Sequence, residues 1–297
     1  MINLGDKGIN DELKVRGRII YHYTAVSPLS VFFKPGADLY CTNAKTLNDP
    51  VEIIQGALLF ADFLHEKKGF GEPHVALMKK NIHESLESDW ADMWVMSFST
   101  EGDSLSLWRG YVPDPSGGFA IGFNVARLEK VLSAITRQAW KTSTFPIPRL
   151  TRCWYDKRDD ELINELFEVQ YNRYAASFNK YKNAEKLSNE EVVQVMATVI
   201  TSVANIKHNA FGDEHEARIV LSVPDALNSL VEILGDKPRM PVCLPATGVK
   251  LHTLIDRIVI SPHGNINSLM AQAKWLRNKC GGGFEIVQSE IPYDPSR

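Results

Sequence analysis

The chain has 297 residues, 44% of them hydrophobic and 23% charged, with a net charge of −3. That length is enough for a substantial core in one or two domains, and the composition excludes a disordered chain. The weak negative charge excludes a general pull toward nucleic acid or anionic membrane, so any such contact would need a local basic groove.

Residues 1–17 read as a polar lead-in to a single α+β domain over 18–297. Arg18 to Tyr23 reads as a first strand, and Ser27-Pro28 opens a turn and a short helix. Leu39 to Thr42 is a second strand. Asn48-Asp49-Pro50 is a helix-start signal, with Asp49 as cap and Pro50 at the first helical position. Helical patterns follow over about 50–67 and 73–88. Met93 to Ser99 is a buried strand leading into a helix at Ser104–Tyr111, and Gly118 to Phe123 returns as a strand. A helix near 124–136 and a strand near 151–155 come next. Arg149, Arg152, Lys157 and Arg158, diluted by aspartates, read as a solvated loop.

Segment 157–208 carries two long helical patterns and is expected to be a helical insertion covering part of the sheet. Leu162, Leu166, Val169 and Tyr174 mark the first, and Val192 to Val203 the second. A capping box at Ser188-Asn189-Glu190-Glu191 starts the second. Residues 214–222 read as an acidic strand, and Leu254–Ile260 as another. A helix over Ser268–Lys279, stopped by Gly281-Gly282-Gly283, precedes a last strand at Glu285–Ser289.

Cys41, Cys153, Cys243 and Cys280 are scattered, with no C-x-x-C pair. That argues against a zinc ribbon or disulfide scaffold and fits a reducing compartment. With no apolar leader and no run of membrane-span length, the expected location is the cytoplasm, away from membranes.

Three constellations could carry chemistry. In the acidic strand, alternation sends Glu214, Glu216 and Arg218 to one face and Ala217, Ile219 and Leu221 to the other. Two like charges on one face repel each other, and chemistry at an electron-poor carbon is a reason to accept that. The second is Tyr21-His22-Tyr23-Thr24, where His22 either meets a ribose or phosphate oxygen or is a core histidine bonded to backbone. The third joins Ser97-Phe98-Ser99 to the helix carrying Leu107, Trp108 and Tyr111. Its aromatics either pack against the sheet or stack on a flat heterocycle. A P-loop, a G-x-S-x-G elbow and metal-ligand spacing of histidines are all missing from the sequence.

These pieces, taken in order, resemble a bacterial family known as domain of unknown function twenty-nine seventy-one. The residues that carry the resemblance are Tyr21 to Thr24, Asn48-Asp49-Pro50-Val51-Glu52, Ser97-Phe98-Ser99, Trp108-Arg109-Gly110-Tyr111 with Gly118 to Phe123, Glu214 to Arg218, and Ser289 to Tyr293. A more remote resemblance links the strand-one His, the mid-chain aromatic and the late Glu to ADP-ribosyltransferases of the His-Tyr-Glu type. It implies a core of two small packed sheets with peripheral helices, and NAD as substrate. His22 would bind an NAD ribose, Tyr111 would stack on nicotinamide, with Trp108 or Tyr23 as alternative rings, and Glu216 would hold the nicotinamide ribose. Tyr23, Thr24 and Ser99 would complete the NAD site, and Glu214 would serve the acceptor. Arg109 or Arg218 would contact diphosphate.

The implied function is ADP-ribosyl transfer to a protein or nucleic-acid acceptor, as in toxins or phage-defence effectors with an antitoxin partner. The alternatives are an NAD glycohydrolase, a non-catalytic nucleotide-binding or interaction module, and a glycosidase using Glu52 or Asp49 as second carboxylate.

Overall fold

A computed structural model describes residue 15 and residues 18–47, 51–87, 93–142, 147–183, 200, 202–222, 229–234 and 237–293. The Asn48-Asp49-Pro50 signal, the capping box at 188–191 and most of the second helical pattern of the insertion lie outside the described residues.

The strands, in chain order, are β1 (Ile19–Ala25), β2 (Tyr40–Asn43), β3 (Met93–Ser99), β4 (Gly118–Asn124), β5 (Ile147–Arg152) and β6 (Trp154–Tyr155). They continue with β7 (Ile206–Lys207), β8 (Glu216–Ser222), β9 (Glu232–Leu234), β10 (Lys237–Pro241), β11 (Ile255–Ile260) and β12 (Glu285–Gln288). The helices are α1 (Val51–Lys68), α2 (Glu72–Glu87), α3 (Leu105–Tyr111), α4 (Val125–Thr142), α5 (Asp160–Arg173), α6 (Ala175–Lys182) and α7 (Ile266–Cys280). The fold is α+β. Among the described residues, no helix is long and apolar enough to cross a membrane.

Among the described residues, a ten-stranded hydrogen-bonded network branches at β3, and β6 and β7 pair as a separate two-stranded parallel sheet. One edge of β3 pairs with β8 from Met93↔Ser222 to Ser99↔Glu216. The other edge is shared: β2 takes Trp94 and Val95, and β1 takes Ser99. Between these two pairings β1 and β2 diverge, and the fork between them opens a cleft.

Alternation along β3 and β8 divides the packing between two layers. Trp94, Met96, Phe98, Ala217, Ile219 and Leu221 face the larger core, with α4 and α7. Met93, Val95 and Val220 face a second core built by α1, α2 and α5. Helix α1 can lie close because residue 56 is glycine; a Cβ there would stand 2.2 Å from the Val203 carbonyl oxygen. This close approach carries Glu52, one turn earlier, onto the sheet.

Several local expectations shift. The strand expected near 151–155 is two strands, β5 and β6: Cys153 N–H donates to the Glu216 carbonyl at 2.8 Å as the last bond along β8, and Trp154 N–H turns to the Asn205 carbonyl at 2.9 Å, where pairing with β7 begins. Arg149 and Arg152 are therefore on a half-buried strand and not in a solvated loop. Burial, with Arg173 nearby, lowers the Arg149 guanidinium to about 10. The acidic strand begins at Glu216: Glu214 ends a 3-10 turn over Asn209–Glu214, and His215 is left-handed at φ 45°. Gly281, at φ 66°, closes α7 by accepting the left-handed cap position.

Candidate functional site

Five charged side chains meet where β8 faces the helical layer. Lys207 sits on the two-residue strand β7, almost fully buried. Its Nζ donates to Glu52 Oε1 at 2.9 Å, Glu214 Oε2 at 2.8 Å and Glu216 Oε2 at 2.6 Å. The three donors of one ammonium thus meet three carboxylates. The Phe211 ring lies 4.7 Å from the same nitrogen.

Arg218 closes the cluster from β8. Its Nε donates to Glu216 Oε1 at 2.6 Å and its Nη2 to Glu216 Oε2 at 3.0 Å, a two-point grip on one carboxylate. Nη2 also pairs with Glu52, and Nη1 donates to the Ala204 carbonyl at 2.8 Å. Arg218 is thus a structural clamp on the acidic groups. Alternation on β8 does bring Glu216 and Arg218 to one face, as expected. Glu214 joins them by a different route, turned inward by left-handed His215 and not by strand period.

Burial works against charge at Glu216, Lys207 and Arg218. It raises the Glu216 carboxyl, against the pull of Lys207 and the Ser97 hydroxyl. Burial likewise opposes charge on Lys207, but Glu216 and Glu214 outweigh it and hold Lys207 above the usual lysine range. The cluster sets three carboxyl groups against two cations, and two of the three, Glu214 and Glu216, line the cleft.

The cleft itself encloses about 600 Å³. His22, Tyr23, Thr24, Ser99, Tyr111, Glu214 and Glu216 all line it. His22 Nδ1 meets the Ser97 carbonyl at 3.0 Å across the fork. A carbonyl only accepts, so Nδ1 carries the proton; burial lowers this imidazole and keeps it neutral, leaving Nε2 as an acceptor. Tyr111, the last residue of α3, is 45% exposed, so its ring offers a face at the mouth. Its hydroxyl donates to Glu214 Oε2 at 3.3 Å. Burial, then Glu214 and Glu216, raise that phenol, so it remains a donor.

Other expected ligands are scaffold. Trp108 is fully buried, edge-on to Tyr23, with Nε1 donating to Asp103 at 2.7 Å. It does not line the cleft; its partner in packing is β1, so it is not a stacking ring. The Tyr23 hydroxyl donates to the Glu101 carbonyl and accepts from Ser104 N–H, and Ser99 Oγ donates to the Glu214 carbonyl at 2.7 Å. These two shape the wall and hold Glu214 in position. Arg109 lies over the Tyr293 ring at 5.1 Å, outside the cleft lining.

Sequence reasoning missed Lys207 and Arg239, and gave Glu52 only to the glycosidase alternative. Arg239, on β10, lines the cleft opposite the acidic end.

The fold and site define an α+β protein with a buried ion-pair cluster at the fork of its sheet. The family model described as "Protein of unknown function (DUF2971)" matches residues 107–219, a stretch that holds Tyr111, Lys207, Glu214, Glu216 and Arg218. That part of the chain is similar to the family. No curated protein and no solved structure matches the chain, and the expected resemblance to ADP-ribosyltransferases finds no support in these comparisons.

Proposed function

We propose that the cleft binds NAD and breaks its nicotinamide–ribose bond, passing ADP-ribose to a protein or nucleic-acid acceptor. The observation that carries this reading is the convergence of His22, Tyr111, Glu214 and Glu216 on one cleft. His22 Nε2 would accept from a ribose hydroxyl, and the exposed Tyr111 ring would stack on the nicotinamide. As the C1′–N bond breaks, its electron pair leaves with neutral nicotinamide and the ribose develops oxocarbenium charge. The Glu214 and Glu216 carboxylates on the cleft wall would stabilise that charge more than the ground state. The acceptor oxygen then attacks C1′, and its proton goes to Glu214, the more exposed of the pair at 22% against 3%. Water in the acceptor's place gives free ADP-ribose, the glycohydrolase outcome.

A second reading is a nucleotide-binding module without turnover. It is favoured by the engagement of both Glu216 oxygens by Lys207 and Arg218. Nicotinamide release separates the two. Glu216→Gln is expected to slow release about 10²–10³-fold while the variant keeps a cooperative unfolding transition. Equal rates in a folded variant would remove Glu216 from the chemistry.

A further inference from the structure

Among the described residues, nothing beyond β12 lines the cleft. Ser289 to Tyr293 is nevertheless held by several directed contacts, and they lead to α3, the helix that ends in Tyr111. Helix α3 has only seven residues, and Ser104 at its N-cap makes no side-chain cap bond. Two turns are too few for a helix to hold itself, so the placement of α3 comes from what grips it from outside.

The grip centres on Asp103, half-buried just ahead of α3. Its Oδ1 accepts from Trp108 Nε1 at 2.7 Å and from the Ser289 hydroxyl at 2.6 Å, and its Oδ2 accepts from the Glu290 N–H at 2.9 Å. All three partners donate, so the place suits a carboxylate, which only accepts. Ser289 is itself fastened: its N–H donates to the Ile260 carbonyl at 2.9 Å, and its Oγ accepts from the Ile291 N–H at 3.1 Å. Ile291 packs on the small core that holds Leu107 and Trp108. The Tyr293 ring lies 5.1 Å from the Arg109 guanidinium and edge-on to His263 at 5.4 Å. His263 Nε2 in turn donates to the Asp114 carbonyl at 3.1 Å, beyond the far end of the helix. The segment therefore braces α3 before, along and after its length. Trp108 and Tyr111 stand three positions apart on this short helix, so a bond that fixes Trp108 also fixes where the Tyr111 ring stands.

We propose that Asp103 is a positioning residue for the stacking ring: by tying Trp108 to Ser289 and Glu290 it sets the roll of α3, and so the place of Tyr111 at the cleft mouth. Asp103 does not line the cleft, so it acts through Tyr111 and touches no ligand. Its effect on NAD rests on the nucleotide-binding half of the function proposed above. The placement of the ring is a property of the fold and is measurable without ligand.

The test labels the intact chain with 3-fluorotyrosine and follows the fluorine NMR resonance of Tyr111, assigned by its loss in Tyr111→Phe. Asp103→Ala and Ser289→Ala are expected to displace that resonance and to leave those of Tyr155 and Tyr171 in place. A Tyr111 resonance that does not move in folded Asp103→Ala would overturn the proposal. If Asp103→Ala does not fold, Ser289→Ala decides in the same way. Affinity for NAD is then compared in the wild type, Asp103→Ala, Tyr111→Leu and the double variant, as KM where NAD is cleaved and as Kd where it stays intact. Asp103→Ala should weaken it about two- to tenfold, with little change in kcat. The double variant should bind no more weakly than Tyr111→Leu alone. Additive losses would show that Asp103 does not act through the ring, and would overturn the proposal too. A displaced Tyr111 resonance in a wild-type background that binds no NAD would support the brace and sink the nucleotide reading alone.

Discussion

Asp38 and Glu216 are two buried carboxylates on the wall of one cleft, 6% and 4% exposed, and they are held in opposite ways. Asp38 takes three peptide N–H groups, two of them from the turn after β10. Glu216 is gripped by an ammonium and a guanidinium. Each stands beside a non-glycine residue in the left-handed region, Cys243 at φ 68° and His215 at φ 45°. Neutral donors solvate Asp38 only partly, so burial lifts its carboxyl to about 6. At Glu216 burial raises the carboxyl as well, with Lys207 opposing it. The first arrangement fastens a loop; the second holds a carboxyl group on the cleft wall between two cations.

The largest test of this contrast is Lys207→Met. It leaves Glu52 and Glu216 with Arg218, and Glu214 with the Tyr111 hydroxyl, and breaking a buried ion pair on one side costs about 3–5 kcal/mol. Urea unfolding should show that loss, and Lys207→Arg should restore part of it. A loss below about 1 kcal/mol would mean that the cluster is no firmer than a surface pair.

Asp38 gives a smaller, pH-dependent effect. Its folded value, about 6, lies above the unfolded value of roughly 3.9. The native state therefore holds the proton more tightly, and its contribution to stability is greatest at low pH. Measured against Asp38→Asn, wild-type stability should fall as pH rises from about 4 to about 6 and level off above, by at most about 2–3 kcal/mol. A rise over that window would show that the three N–H bonds outweigh burial.

The smallest effects belong to the two left-handed residues. His215→Gly and Cys243→Gly each remove side-chain strain and add unfolded-state freedom, so stability should move by less than about 1 kcal/mol. Only His215→Gly should also slow nicotinamide release, because it loosens the turn that aims Glu214. Equal rate effects from both variants would erase the distinction between fastening and chemistry.

The sequence made one half of the site legible. Ala217, Ile219 and Leu221 alternate cleanly, so the opposite placement of Glu216 and Arg218 follows from strand period. Glu214 lies one residue beyond a left-handed turn, where that period no longer applies, although extrapolation still put it on the correct side. Lys207 could not be read because a two-residue strand has no periodicity, and its partners lie as far away as Glu52. Arg239 sits between Pro238 and Pro241, and prolines at both sides mask the strand signal there. Trp108 was misread because helical spacing pairs it with Tyr111, yet α3 ends at Tyr111, which is exposed while Trp108 is enclosed.

The most direct measurement of the central claim is nicotinamide release, followed by proton NMR after the purified chain is mixed with NAD. Free nicotinamide should accumulate with the wild type, together with ADP-ribose free or on an acceptor, and nearly vanish with Glu216→Gln. NAD that stays intact with the folded wild type, while ADP still binds, would contradict the claim and leave a binding module.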